Sequence, residues 1–338
     1  MWKPATSVSV CNSIDGWWNS LPFKLSEISV TELVRPIGFR FRKYAFNIAG
    51  KLNGKSMVAT GEADNKVLAI TKAVAEFIER CTLIDYAENN KKIKTSNGWA
   101  AHTEFKKSQE NAIRELVERD AVLRHWYSRT PFVVLNSESL PPSIQTFILD
   151  ELSKSEFPQL KILISQIGYG PSVTAVLMNS DGYGVTGNCS KESMFDAIAG
   201  AIEEACRLAQ HYLLKSHLSD TKKMNSGMKF KVDTGAHGVF YAHQKPFPEW
   251  MFGECVGLDG ANQLWFKKNS DLHKVKDQFK VFEVARDPLF VCRAENEQII
   301  ELSWGIEDRE SLLARLLGKM PLISILEKEL NLEPHIIP

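Results

Sequence analysis

The feature that most restricts what this chain can become is a recurring unit: a glycine in a polar stretch, followed by a helix-period segment bearing carboxylates. Three stretches share it, Ala59 to Asp85, Thr95 to Tyr127 and Val185 to Leu214. Each opens on a polar sequence read as a glycine turn: Thr60-Gly61-Glu62-Ala63-Asp64, Ser96-Asn97-Gly98 and Thr186-Gly187-Asn188. Gly61 to Glu76 is 15 residues, while Gly98 to Glu115 and Gly187 to Glu204 are both 17. The first helix carries Glu76-x-x-Glu79-Arg80 and the second Glu115-x-x-Glu118-Arg119-Asp120. At about 3.6 residues per turn, positions i, i+3 and i+4 share a side, so each helix sets two carboxylates and a guanidinium on one face. The opposite faces are apolar: Ala73, Phe77, Cys81 and Ile84 in the first, Ile113, Leu116, Val117 and Leu123 in the second. The third helix is a looser copy, with Ala201, Ala205, Leu208 and Tyr212 as its apolar side and Glu203, Glu204, Arg207 and Gln210 turned elsewhere.

An isolated E-x-x-E-R helix usually means a solvated face with weak intrahelical ion pairs. Two features oppose that reading. The acidic face of the second helix continues into Val122 and Trp126, and that of the first into Leu83, which suits an enclosed surface. The same face also recurs after the same kind of glycine segment. Carboxylates brought together repel one another and raise one another's pKa unless a cation joins them. A convergent acidic cluster therefore predicts bound metal, and magnesium, a hard ion that takes carboxylate and phosphate oxygens together, is the natural candidate. The arginines would meet phosphate.

Composition narrows the class further. Of 338 residues, 44% are apolar and 24% charged, as in ordinary globular proteins. Lys+Arg and Asp+Glu both total 41, which gives no electrostatic footprint of a nucleic-acid or anionic-membrane binder. The six cysteines lie far apart without zinc-type spacing, and Cys81 and Cys206 fall in helical patterns as core residues. With no apolar run near the roughly 20 residues of a membrane helix, the expectation is a cytoplasmic chain with reduced thiols. No Walker A sequence occurs, and Gly168-Tyr169-Gly170 lacks the helix that a dinucleotide fingerprint needs. The predicted architecture is α+β, with helices packed on mixed sheets. Strand patterns fall at Leu160 to Ile167, Val173 to Met178, Val281 to Val284 and Leu289 to Arg293. We expect a single domain over 1–338, with a nucleotide-site core at about 55–215, a β-rich part at about 230–310 and a tail at 330–338. Ser216 to Lys231 is polar and expected to form a loop over the site. Trp17, Trp18, Trp250 and Trp265 suit either a partner surface or the core.

At this point the residues resemble a known family. Ser96-Asn97-Gly98-Trp99-Ala100-Ala101, followed by Ala112-Ile113-Arg114-Glu115-Leu116-Val117-Glu118-Arg119-Asp120-Ala121, resembles the S-N-G-x-A-A … A-x-x-E-x-x-E-R-D-A signature of YcaO proteins. Gly61 through Ala75-Glu76-Phe77-Ile78-Glu79-Arg80 is similar to the family's first nucleotide motif, and Thr186-Gly187 through Ala201-Ile202-Glu203-Glu204-Ala205 to its third. Phe290-Val291-Cys292-Arg293 through Trp304-Gly305 resembles the closing strand pair, so the similarity spans roughly residues 30 to 305. The resemblance implies that Glu76, Glu79, Glu115, Glu118 and Glu204, with Glu203 beside them, hold Mg2+, while Arg80, Asn97, Arg119 and Gln210 approach ATP. Lys72 stands where members often have serine, and Arg207 where many have glutamine; both are counted with the ATP-facing residues. Azole-forming members end in a proline-rich tail that reaches the active site, and Pro334-His335-Ile336-Ile337-Pro338 keeps two of its three prolines. Pro338 and His335 are the tail's candidate catalytic residues.

The activity the resemblance implies is ATP-dependent cyclodehydration of a ribosomally made precursor peptide. A Cys, Ser or Thr side chain attacks the preceding amide carbonyl, ATP phosphorylates the resulting oxyanion, and loss of phosphate leaves an azoline. Such chemistry rests on positioning and charge neutralisation rather than on an enzyme nucleophile. The implied partners are an E1-like, leader-binding protein, a flavin-dependent dehydrogenase subunit and a second copy of the chain. Thioamide formation, a housekeeping role and a non-catalytic peptide-binding subunit are the alternatives.

Overall fold

The computed structural model describes residues 21, 23–34, 38–89, 96–213, 240–302, 308–320 and 330–337. Contacts divide the chain into two compact units, one from segments within 1–35, 42–113 and 280–295, the other from segments within 36–41, 114–279 and 296–338. Helices and sheets make up both, as the α+β reading expects, the first unit's sheets being antiparallel and the second's mixed.

The first unit holds two three-stranded antiparallel sheets. Strands β1 (Leu25–Glu32), β2 (Tyr44–Leu52) and β3 (Lys55–Ala63) form a meander in that order. The β2–β3 hairpin turns at Asn53 and Gly54, whose φ values of 51° and 78° are those of the Asn-Gly turn that matches strand twist. Helix α1 (Lys66–Asn89) follows, started by Asn65, whose Oδ1 accepts from the amides of Val67 at 2.8 Å and Leu68 at 3.2 Å. Its Ala73, Phe77 and Cys81 are fully buried in one core with Phe46, Ile48 and Ala59 of the sheet. The second sheet runs β10 (Lys280–Ala285), β11 (Phe290–Glu295), β4 (Trp99–His102).

Helix α2 (Phe105–Tyr127) gives its first turns to this unit and its later ones to the other. The second unit is built on a five-stranded sheet ordered β8 (Gly184–Cys189), β7 (Val173–Met178), β6 (Gln159–Ile164), β5 (Phe132–Leu135), β9 (Phe252–Val256). All neighbours are antiparallel except β5 and β9. Strand β7 reads Val-Thr-Ala-Val-Leu-Met without polar alternation because both its faces are covered. Val173, Ala175 and Leu177 pack with helix α4 (Met194–Leu213), whereas Val176 and Met178 pack with Val122, Leu123 and Trp126 of α2.

Two expectations need correction, and one open alternative is decided. Gly61 and Gly187 lie inside strands β3 and β8 rather than in turns; only Gly98, at φ 75°, turns the chain. What the first two provide is closeness. A Cβ on Gly61 would stand 2.0 Å from the Ala69 carbonyl oxygen, and one on Gly187 would stand 2.2 Å from that of Ala201. Residues 230–310 are not simply β-rich, since helix α5 (Leu258–Val275) lies among them, burying Ala261, Trp265, Lys268 and Leu272 at helical spacing. The aromatic-surface option fails for Trp265, which is buried and donates to the Glu192 carbonyl at 2.9 Å, while Trp250 is half-buried against Trp126. Trp17, Trp18, the Ser216 to Lys231 stretch, Trp304-Gly305 and Pro338 lie outside the described residues.

His125 ties α2 to the sheet. It is fully buried, stacks on Phe132 at 3.9 Å and bonds the Thr130 carbonyl through Nδ1 at 2.8 Å. Burial pushes its pKa from the ordinary 6.5 down to about 3. The unfolded chain therefore takes up this proton first, so the native state loses stability as pH falls from about 6.5 toward 3, by up to about 1.4 kcal/mol per pH unit. Urea unfolding at pH 7 and pH 5 should show this loss in the native protein and a flatter response in His125→Gln. Gly187→Ala should destabilise the fold by about 3 kcal/mol, the upper end of overpacking effects. Gly260→Ala, whose Cβ would meet only Val256 at 3.4 Å or more, serves as the neutral control in the same titration.

Candidate functional site

In the first unit the acidic helix face is applied to two sheet edges. Among the described residues strand β3 is the outer strand of its sheet, so alternate amides and carbonyls point away from β2 with no strand there to receive them. Helix α1 supplies the partners. Glu76 Oε2 accepts from the Thr60 amide at 3.1 Å, and Arg80 Nη1 donates to the Val58 carbonyl at 2.7 Å. The two side chains are joined, Arg80 Nη2 to Glu76 Oε1, at 2.6 Å. One turn along, Glu79 Oε2 accepts from the amide of Ala101 on edge strand β4 at 3.2 Å. Asn97 is buried just before β4, whereas Lys72 points from an exposed position of α1.

The second unit repeats the device. Strand β8 is again an edge among the described residues; it carries the amide of Asn188 and its continuation that of Ser190, two residues on and so directed the same way. Asn188 N–H donates to Glu204 Oε2 at 2.6 Å, and Ser190 N–H donates to Glu118 Oε2 at 3.0 Å. Glu204 comes from α4 on one face of the sheet and Glu118 from α2 on the other, so the edge gathers carboxylates from both layers. Arg119 pairs with Glu115 at 2.8 Å and Arg207 with Glu204 at 3.4 Å. Glu203 is half-buried beside Glu204, and Gln210 is buried on the same helix.

Electrostatics mark this second group as unfinished. Burial pushes the Glu118 carboxyl up to about 8, and the nearby charges of Glu204 and Glu115 push in the same direction, against Arg119 and Lys191. Arg119 and Lys191 do not offset burial and like charge at Glu118, so further positive charge would be favourable there. Among the described residues no three His, Cys, Asp or Glu side chains form a ready-made metal cage. Mg2+ takes one or two carboxylates together with substrate phosphates rather than an all-protein cage. The pair therefore fits a hard dication that arrives with a phosphate ligand.

Asp120, inside the E-x-x-E-R-D run, has another task. It is completely buried, accepts from Arg124 Nε at 2.6 Å and from the Ile300 amide at 2.9 Å, and thereby helps fasten the C-terminal part of the chain to α2. The tail is fastened too. Trp126 Nε1 donates to the Glu333 carbonyl at 3.0 Å, Tyr241 Oη to that of Pro334 at 2.7 Å, and Thr186 Oγ1 to that of Ile336. His335 is buried, and its Nδ1 accepts from the Ile337 amide at 3.2 Å. Thr186 lies two residues before Asn188, so the tail ends its described course on the strand that carries the acid pair. Spacing alone did not show Asn188 and Ser190 as holders of the glutamates, because a backbone donor leaves no trace in a side-chain pattern.

The fold and this donor set define an α+β protein whose helix carboxylates suit a hard dication. The chain belongs to the YcaO family: the model described as "YcaO cyclodehydratase, ATP- and Mg2+-binding" matches residues 81–281, more than half of it. ATP and Mg2+ are the cofactors of that family. The matched segment includes Glu115, Glu118 and Glu204 and begins just after Glu79. No curated protein matches in sequence. A heterocyclase in complex with substrate and cofactor superposes with a TM-score of 0.53 at 12% identity, over 80% of this chain and 49% of that one. This chain therefore spans about half the length of that heterocyclase. YcaO from Methanopyrus kandleri, bound with AMPPCP and Mg2+, gives 0.52 at 13% identity over 79% and 84%. The E. coli microcin synthetase McbBCD complex with pro-MccB17 bound gives 0.54 at 10% identity over 91% and 96%. At these identities the likeness is one of fold. No described helix is long and apolar enough to cross a membrane.

A double-mutant cycle tests the acid pair. In unfolding experiments without divalent cation, at a pH above about 8 where Glu118 is ionised, Glu118→Gln and Glu204→Gln should each relieve repulsion, so that the second substitution gains little once the first is made. With Mg2+ and nucleotide present the native pair should instead be the most stable form. Equal coupling in both buffers would show that the pair serves the strand edge alone.

Proposed function

We propose that this chain is an ATP-dependent cyclodehydratase that converts Cys, Ser or Thr residues of a ribosomally made precursor peptide into thiazolines or oxazolines. Membership of the YcaO family carries the reading, and the carboxylates fixed on strand amides support it. Mg2+ with ATP would supply the phosphoryl group and neutralise its charge. Glu76, Glu79, Glu115, Glu118 and Glu204, with Glu203 nearby, are the proposed metal-holding residues. Anchoring one oxygen of a carboxylate fixes the orientation of the other, as outer-shell hydrogen bonds do for metal ligands generally. Arg80 and Arg119 can shift from their intrahelical carboxylates toward phosphate, and Asn97, Lys72, Arg207 and Gln210 complete the proposed nucleotide contacts. His335 and Pro338 are proposed to act at the peptide, where the tail would orient the attacking side chain and carry its proton.

The reaction as proposed balances without an enzyme-bound intermediate. The substrate side chain forms its bond to the amide carbon, the amide oxygen takes the γ-phosphoryl group, and that oxygen leaves as phosphate while ADP is released. Peptide recognition is proposed to come from an E1-like, leader-binding partner, with a flavin-dependent dehydrogenase acting on the azoline afterwards.

Incubation of the chain with such a partner, a Cys- or Ser-bearing precursor, ATP and Mg2+ should remove one water per ring, with equal release of ADP and phosphate. Exchange of oxygen for sulfur in the presence of sulfide would assign thioamide formation instead. Glu79→Ala combined with Glu118→Ala should weaken binding of Mg·ATP more than about 100-fold, beyond what loss of outer-shell groups alone produces. Undiminished affinity in calorimetry would overturn the nucleotide assignment.

A further inference from the structure

Among the buried side-chain atoms of the second unit that have no hydrogen-bond partner, two belong to the strand segment that holds the acid pair. They are Asn188 Nδ2 and Ser190 Oγ, on residues only 6% and 3% exposed. A buried polar group left unpaired weakens a fold, so each such group in a native structure needs a reason. The backbone amides of these same residues are satisfied, by Glu204 and Glu118. What is left without a partner is one side-chain atom of each.

Direction can be read from the neighbours. Strand alternation places the Gly187 Cα–H that would bear a side chain against α4, where a Cβ would meet Ala201 and Ala205. Asn188 and Ser190 therefore both project to the opposite face, the α2 side from which Glu118 descends. Asn188 Oδ1 accepts from Thr174 Oγ1 at 2.7 Å, on the inner neighbour strand β7. The planar amide consequently turns Nδ2 away from β7, toward the outer edge where the carboxylates gather.

We propose that Asn188 and Ser190 are further binding residues of the nucleotide site, donating hydrogen bonds to phosphate oxygens of a metal-bound nucleotide whose cation is held by Glu118 and Glu204. This rests on the nucleotide reading above and extends it to two residues outside the acidic motifs. The chemistry selects the ligand class. An amide NH2 is a donor and repels a bare cation; two carboxylates repel a bare anion. A dication already carrying phosphate oxygens satisfies both sets, the metal on the carboxylates and the oxygens on Nδ2 and Oγ. The orphaned donors are the counterpart of a ligand, and their presence trades stability for binding.

Calorimetric titration of the full chain with Mg·AMPPCP, and with Mg2+ alone, tests this. Ser190→Ala should bind Mg·AMPPCP about tenfold more weakly, the loss expected for a hydrogen bond to a charged group. Its unfolding temperature without ligand should be unchanged or higher, because an unpaired hydroxyl has been removed. Asn188→Asp, which keeps the bond from Thr174, should also bind Mg·AMPPCP about tenfold more weakly while binding Mg2+ alone at least as well, since a carboxylate has replaced a donor. Native-like Mg·AMPPCP affinity in both variants, alongside lost affinity in Glu118→Gln, would overturn this inference and leave the nucleotide reading standing. Native-like affinity in Glu118→Gln as well would overturn both. Destabilisation of ligand-free Ser190→Ala would likewise count against the proposal, because it would show the hydroxyl to be a structural group.

Discussion

An outer strand of a β-sheet carries amides with no strand to receive them, and much in this protein follows from how those amides are satisfied. Helix carboxylates do it. Thr60, Ala101, Asn188 and Ser190 each donate a backbone N–H to a glutamate from a neighbouring helix. The bond closes an exposed edge against intermolecular pairing and at the same time fixes a carboxylate by one of its oxygens. A structural requirement of sheets is thus met by the same hydrogen bond that orients the carboxylates proposed to hold metal.

The arrangement works only if helix and strand lie unusually close. Gly61 and Gly187 supply that closeness, since a methyl group at either would enter the backbone of the helix above it. Glutamates 15 and 17 residues further along the chain can then reach the edge amides. The recurring glycine-to-glutamate spacing is a record of this geometry, in which a strand runs past the glycine and the helix returns over it. Gly98 takes the same place in the pattern for a different reason, a left-handed turn at φ 75° leading into β4.

Around these edges the second unit uses buried polar groups as fasteners. Asp120 and Arg124 engage one another while binding the backbone at Ile300 and Gln298. Trp126, Tyr241 and Thr186 donate to the tail carbonyls of Glu333, Pro334 and Ile336. The tail is thereby a core element over its described length, with Ile336 and Ile337 packed in the same cluster as Val122 and Trp126. Ile336, standing where a proline was expected from the resemblance, contributes an apolar side chain to that cluster and a carbonyl to Thr186.

The sequence by itself determined the α+β class, the apolar stripe Ala73-Phe77-Cys81, the burial of the α2 face at Val122 and Trp126, and the carboxylate-bearing faces, because each is a local periodicity that survives without knowledge of partners. Family membership was legible for the same reason, in the run from Ser96 to Ala121. The sequence did not place Gly61 and Gly187 in strands: a glycine among polar residues reads as a turn unless the helix packed against it is known. Helix α5 was passed over in a segment judged by its strands, and the burial of His335 could not be seen in a histidine near a chain end. Only tertiary structure decided which atoms hold the glutamates, since the holders are main-chain amides identical in every residue but proline. It alone exposed the unpaired atoms Asn188 Nδ2 and Ser190 Oγ, because whether a polar atom lacks a partner depends on everything folded around it.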